Sequence, residues 1–452
     1  MEANTDTIAA IATPPGRGGV GVVRVSGKNL TSIIQALLGK ALIPRYAHLS
    51  QFLDQHGQAI DQGIALYFPN PRSYTGEDVL ELQGHGGPVV MNLLLSRCLQ
   101  LGARLAQPGE FTLRAYLNHK IDLIQAESVA DIIAANTQEA VRCALHSLQG
   151  QFSFKIYEAV QSLIALRMLV EATLDFPEEE IDAMHFRQVV EKLERIHGQL
   201  ERIFLAAEQG SLLQEGIKVV LVGTPNVGKS SLLNQLAEEE AAIVTEIPGT
   251  TRDTIARTIV IAGIPVQIID TAGLRETDDV VERKGIERTL VEIQRSSVIL
   301  QLFDGSRSMI DKGDSIQRII PADKPQVIVF NKIDLIGETP RIEEKENKSI
   351  IYLSAKTGAG IALLRQKILE IVGWQCNQAG EGVIMARQRH LEALAKARLH
   401  LASAMDFTRT EVQLELLAEE LRLAQNYLSS ITGDYTADDL LGEIFSHFCI
   451  GK

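Results

Sequence analysis

Gly223-Thr224-Pro225-Asn226-Val227-Gly228-Lys229-Ser230 is the stretch whose reading decides the fold. It follows Ile217–Val222, a largely β-branched run of the kind that forms a parallel strand buried on both faces. A helical segment opens behind it, over Ser231–Leu236. Strand, glycine-rich turn and helix in that order make a phosphate-binding loop. Glycines let backbone N–H groups turn inward around an anion, and the helix N-terminus adds partial positive charge.

The block around the loop repeats the strand signal at Val266–Ile269, Val298–Phe303, Val327–Phe330 and Ile350–Leu353, with helical segments between. Alternation of that kind predicts a doubly wound parallel sheet over residues 216–373. In this setting the Lys229 ammonium reaches β and γ phosphates, and the Ser230 hydroxyl is placed to ligate Mg²⁺. Asp270-Thr271-Ala272-Gly273 ends a second buried strand. A carboxylate there can hold Mg²⁺ through water, with the Gly273 amide sensing the γ-phosphate; an ordinary strand-to-loop turn is the plain alternative. Asn331-Lys332-Ile333-Asp334 selects the base. The Asp334 carboxylate can accept from guanine N1–H and the exocyclic amino group, whereas adenine offers it an acceptor, and an unpaired polar group of that kind discriminates by roughly 10⁴-fold. Ser354-Ala355-Lys356 adds a further base-contacting turn. These elements, each at the carboxyl end of a strand, predict GTP as the ligand.

Two parts of a Ras-like hydrolytic site are missing. The position that carries a water-orienting glutamine is Leu274, and nearby Arg275, Glu276, Asp278, Asp279, Glu282 and Arg283 are polar alternatives that spacing does not separate. No arginine finger is evident either. Asn226, with carbonyls from Thr245-Glu246-Ile247-Pro248-Gly249-Thr250, can hold a monovalent cation in its place, or Asn226 can be a simple turn residue. Thr251 is the natural second Mg²⁺ hydroxyl.

Beyond this block, 452 residues call for two or three domains. Residues 1–118 mix strand-like runs (Val20–Val25, Ile64–Phe68, Val79–Gln83) with turns at Pro14-Pro15-Gly16, Pro69-Asn70-Pro71 and Gly84–Pro88, then a helical period over 88–102. They read as an α+β domain. Residues 119–215 and 374–452 read as helical, the latter as helix from Glu381 to Leu428 and again over Ala437–Cys449. This predicts a block inserted into one helical domain, although two separate helical pieces would give the same pattern. A net charge of −13 argues against a general nucleic-acid binder. Cys98, Cys143, Cys376 and Cys449 lack metal or disulfide spacing, and neither a secretory signal nor a membrane-spanning run is read, so a cytoplasmic protein is expected.

Gly249-Thr250-Thr251-Arg252-Asp253, Asp270–Arg275 and Cys449-Ile450-Gly451-Lys452 resemble the tRNA-modification GTPase family MnmE, also called TrmE. The likeness runs through the chain, with N-terminal marks at Ala12–Gly19, Tyr74-Thr75-Gly76-Glu77-Asp78 and Gln83-Gly84-His85-Gly86-Gly87. The resemblance implies an N-terminal α+β folate-binding-like domain, a helical domain and an inserted Ras-like P-loop G domain. It implies a potassium-stimulated GTPase that acts as a homodimer in the cytoplasm, with no membrane. Together with the flavoprotein MnmG, the family adds an aminomethyl or carboxymethylaminomethyl group to C5 of the wobble uridine of certain tRNAs. The implied GTP-binding set is Gly223, Asn226, Val227, Gly228, Lys229, Ser230, Ser231, Thr245, Ile247, Thr250, Thr251, Asp270, Gly273, Asn331, Lys332, Asp334, Ser354, Ala355 and Lys356. Ser230 and Thr251 would ligate Mg²⁺, and Asn226, Thr245, Ile247 and Thr250 would ligate K⁺. Glu282 matches the family's general base. Arg24, Glu81, Lys120 and Lys452 match its tetrahydrofolate positions.

Gly16–Gly21 fits a dinucleotide pattern but leads into a strand-like run, so no helix is expected to receive a pyrophosphate. Cys449 lacks the context for prenylation, and its thiolate is a candidate for the tRNA chemistry beside a structural role. His85 reads as a loop histidine satisfying local backbone groups, with catalysis as the alternative. A regulatory or ribosome-assembly GTPase is the competing function, since its G domain alone would look the same.

Overall fold

The computed structural model describes residues 6–175, 183–238, 255–270, 290–306, 320–321, 324–345, 348–374, 383–409, 413–433, 444–445, 448 and 451. The chain divides into two compact units, Met1–Ala130 with Ser147–Leu193 and Leu399–Lys452, and Asp131–His146 with Glu194–Arg398.

The first unit begins with β1 (Ile8–Ile11), β2 (Gly18–Gly27), β3 (His48–Leu53), β4 (Ala59–Phe68), β5 (Asp78–Gly86) and β6 (Arg104–Leu105), ordered β3-β4-β5-β2-β1-β6 in one sheet. One face buries Val23, Val25, Phe52, Leu80 and Leu82 against Ile33, Ile34 and Leu37 of the helix Thr31–Leu38 and Met91 and Leu94 of the helix Pro88–Gln100. The dinucleotide-like glycines lie at the start of β2, as strand rather than helix start. A Cβ on Gly21 would stand 2.5 Å from Met91 Sδ, so that glycine serves helix-on-sheet packing. The turn expected over Gly84–Pro88 is displaced, because Gly84 and Gly86 belong to β5. They are glycines because neighbours crowd them: a Cβ on Gly86 would lie 2.7 Å from the Gly18 and Val20 carbonyl oxygens. The same unit contains the long helix Gln151–Asp175 and the helix Leu414–Thr432, joined by a hydrogen bond from Arg167 to Gln425 at 2.7 Å.

The second unit is built on β7 (Ile217–Gly223), β8 (Ile255–Ile261), β9 (Ile264–Asp270), β10 (Val298–Asp304), β11 (Gln326–Asn331), β12 (Arg341–Lys345) and β13 (Lys348–Tyr352), in the order β12-β13-β11-β10-β7-β9-β8. The five central strands are parallel, as their β-branched runs predicted, while β8 and β12 are antiparallel edges that make the sheet mixed. Val219, Leu221, Leu300, Leu302, Val327 and Val329 face Leu232 and Leu236 of the helix Lys229–Glu238 and Leu364 and Ile368 of the helix Ile361–Ile371. Val220, Val222, Ile269 and Ile299 fill the opposite face, completing burial on both sides. From β7 the chain moves to β9 on one side and then to β10 on the other, so the strand order reverses beside the carboxyl end of β7. A crevice at such a reversal is where open α/β sheets bind ligands.

The helix expected from Glu381 to Leu428 is two helices, Gln388–Arg409 and Leu414–Thr432, with Gln413 non-helical before the second. Helix starts at Gln388 rather than Glu381, and residues 383–387 are not helical. The Arg387 amide donates to the buried His390 side chain at 3.1 Å, which caps the start. Ahead of it the Ile384 amide donates to the Ala206 carbonyl at 3.2 Å, where a Cβ on Gly210 would lie 1.7 Å from the Ile384 oxygen. Of the second expected stretch, Ala437–Cys449, most lies outside the described residues.

Candidate functional site

The phosphate-binding loop leaves β7 at Gly223 and enters its helix at Lys229. Two residues between them adopt left-handed backbone, Asn226 with φ 65° and Gly228 with φ 97°. Asparagine is among the few non-glycine residues that tolerate this region, so the turn requirement alone accounts for its presence. Gly228 is further constrained, since a Cβ there would stand 2.3 Å from Asn331 Nδ2. Thr224, Pro225, Asn226, Ser230 and Ser231 are exposed or half-buried around the loop, while Val227 is buried.

Lys229 folds back over the loop, with Nζ donating to the Gly223 carbonyl at 3.0 Å and lying 3.8 Å from Asp270 Oδ1 at the end of β9. Burial lowers the ammonium's pKa against the pull of Asp270, and burial raises that of Asp270 against the pull of Lys229. Asp270 Oδ1 is buried without a hydrogen-bond partner. Neither charge fully offsets the desolvation of the other. A polyphosphate would give Lys229 a further anion beside Asp270, and a hydrated divalent cation would satisfy the Asp270 oxygen, so the residues present fit a Mg²⁺-nucleotide.

Asn331 ties three loops together. Its side chain is buried; Nδ2 donates to the Val227 carbonyl, and Oδ1 accepts from the Lys332 and Ala355 amides, each at 2.8 Å. These bonds align the phosphate loop with the Asn331–Asp334 and Ser354–Lys356 turns. Asp334 stays exposed beyond it, and Ser354 Oγ donates to its Oδ1 at 2.6 Å. Ser354 is fully buried, so the carboxylate is anchored on one oxygen while its edge faces outward. Lys356 is exposed. All these groups emerge at the carboxyl ends of β7, β9, β11 and β13, as the spacing predicted. Asp304, at the same end of β10, was missed. Burial works against its carboxylate, but the bonds from Lys332 and Ser306 outweigh it and hold its pKa at about 2. An acid closing a buried strand that is apolar but for Gln301 was the signal available for it. Thr245, Ile247, Thr250, Thr251, Gly273, Leu274 and Glu282 lie outside the described residues.

In the first unit, Arg24 and Glu81 are partners across β2 and β5, bonded at 2.9 and 3.0 Å. The guanidinium also donates to the Gly451 carbonyl at 3.3 Å and lies 5.4 Å from the Tyr74 ring centre and 5.7 Å from that of Phe111. Lys120 donates to the Pro71 carbonyl at 3.0 Å, at the loop that carries Tyr74. Cys449 and Lys452 lie outside the described residues. His85 is in β5 rather than a loop, and its partner is a side chain. Nδ1 is 2.8 Å from Asp61 Oδ1, and its amide donates to Asp61 Oδ2 at 2.8 Å. Among the described residues no His, Cys, Asp and Glu cluster has the grouping of a metal site, and no helix is long and apolar enough to cross a membrane.

Two family descriptions match the chain: the MnmE helical domain over residues 123–449 and the GTP-binding protein TrmE N-terminus over residues 7–120. The chain is 62% identical over 449 residues to the tRNA modification GTPase MnmE of Nitrosomonas eutropha, spanning 99% of this chain and 100% of that one. Identity to the protein of the same name from Nitrosomonas europaea is 61%, with the same coverage. Among solved structures, a point variant of Aquifex aeolicus Era bound to GDP and aluminium fluoride is similar at 27% identity and TM-score 0.28, over 43% of this chain and 68% of that one.

Proposed function

Because the chain belongs to the tRNA modification GTPase MnmE family, we propose that it binds and hydrolyses GTP and that this hydrolysis serves the modification of tRNA. The observation that carries the nucleotide reading is the Asp334 carboxylate, exposed yet fixed by Ser354, in a turn aligned with the phosphate loop through Asn331. Asp334 would read the guanine edge and Lys229 would neutralise the β and γ phosphates. Ser230 and Thr251 would hold Mg²⁺, with Asp270 reaching it through water. Bound Mg²⁺ supplies charge stabilisation to the phosphoryl oxygens.

Residues 216–373 would form a G domain inserted between helical parts 119–215 and 374–452, behind an N-terminal domain of residues 1–118. K⁺ would be held by Asn226, Thr245, Ile247 and Thr250 and supply the positive charge that an arginine finger gives elsewhere. Glu282 would orient the attacking water in place of the glutamine that Leu274 replaces. Arg24, Glu81, Lys120 and Lys452 would bind a tetrahydrofolate derivative, supported by the Arg24–Glu81 pair beside Tyr74 and Gly451. A cytoplasmic homodimer working with MnmG on the wobble uridine completes the proposal.

Mass spectrometry of tRNA from a strain lacking this gene tests the tRNA reading. Loss of the wobble-uridine modification is expected, and unchanged wobble uridines would overturn it in favour of a regulatory or ribosome-assembly GTPase. Hydrolysis by the purified chain should fall when K⁺ is replaced by Na⁺; equal rates would remove the cation site.

A further inference from the structure

Asp304 is an acid at the end of a strand that is otherwise apolar apart from Gln301, and the nucleotide reading leaves it without a task. It is 9% exposed and pairs in register with Asn331. Its Oδ1 accepts from the Ser306 amide at 3.0 Å and from Ser306 Oγ at 2.6 Å, and its Oδ2 accepts from Lys332 Nζ at 2.7 Å. The carboxylate is thus oriented before it meets the lysine. The Gly305 amide donates to the Asn331 carbonyl at 2.7 Å, which keeps the end of β10 against the Asn331–Asp334 turn. Lys332 itself is left-handed, with φ 68°, between the buried Asn331 and the turn that carries Asp334.

A lysine stem that is free in water samples many rotamers and offers a ligand no fixed surface. With both its backbone and its ammonium fixed, the methylenes between them are confined, and an apolar edge confined before binding loses less entropy when a flat ring settles on it. A surface ion pair would matter little, but here the acid is buried and the lysine is the group it holds. We propose that Asp304 is a positioning residue of the guanine pocket, tethering Lys332 so that its stem stands beside Asp334 as apolar support for the purine. This rests on the GTP reading above. It predicts a contribution to base affinity that is indifferent to the guanine amino group, because the stem touches the ring and not its edge.

The test is equilibrium titration of the full chain with fluorescent GDP and IDP analogues in Mg²⁺ buffer. Asp304→Asn should raise Kd about tenfold for both nucleotides alike, about 1.4 kcal/mol, while kcat at saturating GTP stays within about twofold. Lys332→Met, which keeps the stem but loses the ammonium, should raise Kd as well. Combining it with Asp304→Asn should add nothing further, since the acid acts only through the lysine. An unchanged Kd for Asp304→Asn, or additive losses in the double variant, would overturn the proposal. If Asp304→Asn fails to fold, Ser306→Ala leaves the ion pair in place and should give a smaller rise in Kd; no rise would also overturn it. A parent chain that binds neither nucleotide would instead defeat the GTP reading, before any substitution is made.

Discussion

Replacing Asn331 with alanine should do more damage than any single nucleotide contact in the site. The amide is buried, and its removal strands the Val227 carbonyl and the Ala355 amide, both in buried bonds, and the Lys332 amide, which is only partly buried. A buried polar group left unpaired costs about 1–3 kcal/mol. Two such groups give about 2–6 kcal/mol, and the third recovers water. Against a total of about 5–15 kcal/mol for a folded domain, that is a large fraction. The measurement is hydrogen exchange along a urea series without nucleotide, read from peptides of β7, β11 and the turn at Ser354, because bound nucleotide would mask the loss by mass action. All three regions should lose protection together. A destabilisation below about 1 kcal/mol, or loss confined to the Asn331 turn, would refute the reasoning that one side chain aligns the three loops.

Other outcomes follow from the same geometry. Gly228→Ala meets both a φ of 97° and an approach of 2.3 Å to Asn331 Nδ2, so it should abolish nucleotide binding in a filter assay; retained binding would show that the loop shifts cheaply. Asp304 is held below its ordinary carboxylate value, at about 2, so its stabilising bond to Lys332 is complete above the unfolded pKa of 3.8 and is lost as pH falls through about 2. A carboxyl carbon titration by NMR should find that midpoint, and one at or above 3.8 would contradict it. Arg24→Ala leaves Glu81 without its cation and the Gly451 carbonyl without this donor, and should cost about 1–3 kcal/mol in thermal or urea unfolding of the first unit. Arg24→Lys should not restore it, because the planar fork is lost.

The phosphate loop and the parallel strands were legible because each rests on a local rule. Ile217–Val222 and Val298–Phe303 are continuous apolar runs but for Lys218 and Gln301, and burial on both faces is the structure that uses them. The edges were not legible. The hairpin between β8 and β9 turns at Ala262 and Gly263, both with positive φ, a conformation normally announced by asparagine and glycine rather than by this pair. β12 reads Arg-Ile-Glu-Glu-Lys, whose charges guard an edge but hide the strand from a hydrophobic pattern. The start at Gln388 depends on His390 folding back onto the Arg387 amide, and histidine is not a usual capping signal. In the site, the motifs announced Asn331 and Asp334 but not that the first is buried and the second exposed. Asp304 escaped because its role depends on Ser306 and Lys332 meeting across neighbouring strands.

The contact of Gly451 with the first strands carries a consequence for biosynthesis. A Cβ on Gly451 would lie 2.5 Å from the Ile11 carbonyl and 2.9 Å from Ala12 Cα, and its own carbonyl accepts from Arg24. Residues near the beginning of the chain thus wait for a residue synthesised more than 400 positions later. At translation rates of about 5–20 residues per second, that is roughly 20–90 s during which β1 and β2 exist on the ribosome without this partner. The six strands are all made by Leu105, but the rim at Ile11, Ala12 and Arg24 stays uncovered for that interval, and slowing elongation late in the message should lengthen its exposure to proteases and chaperones.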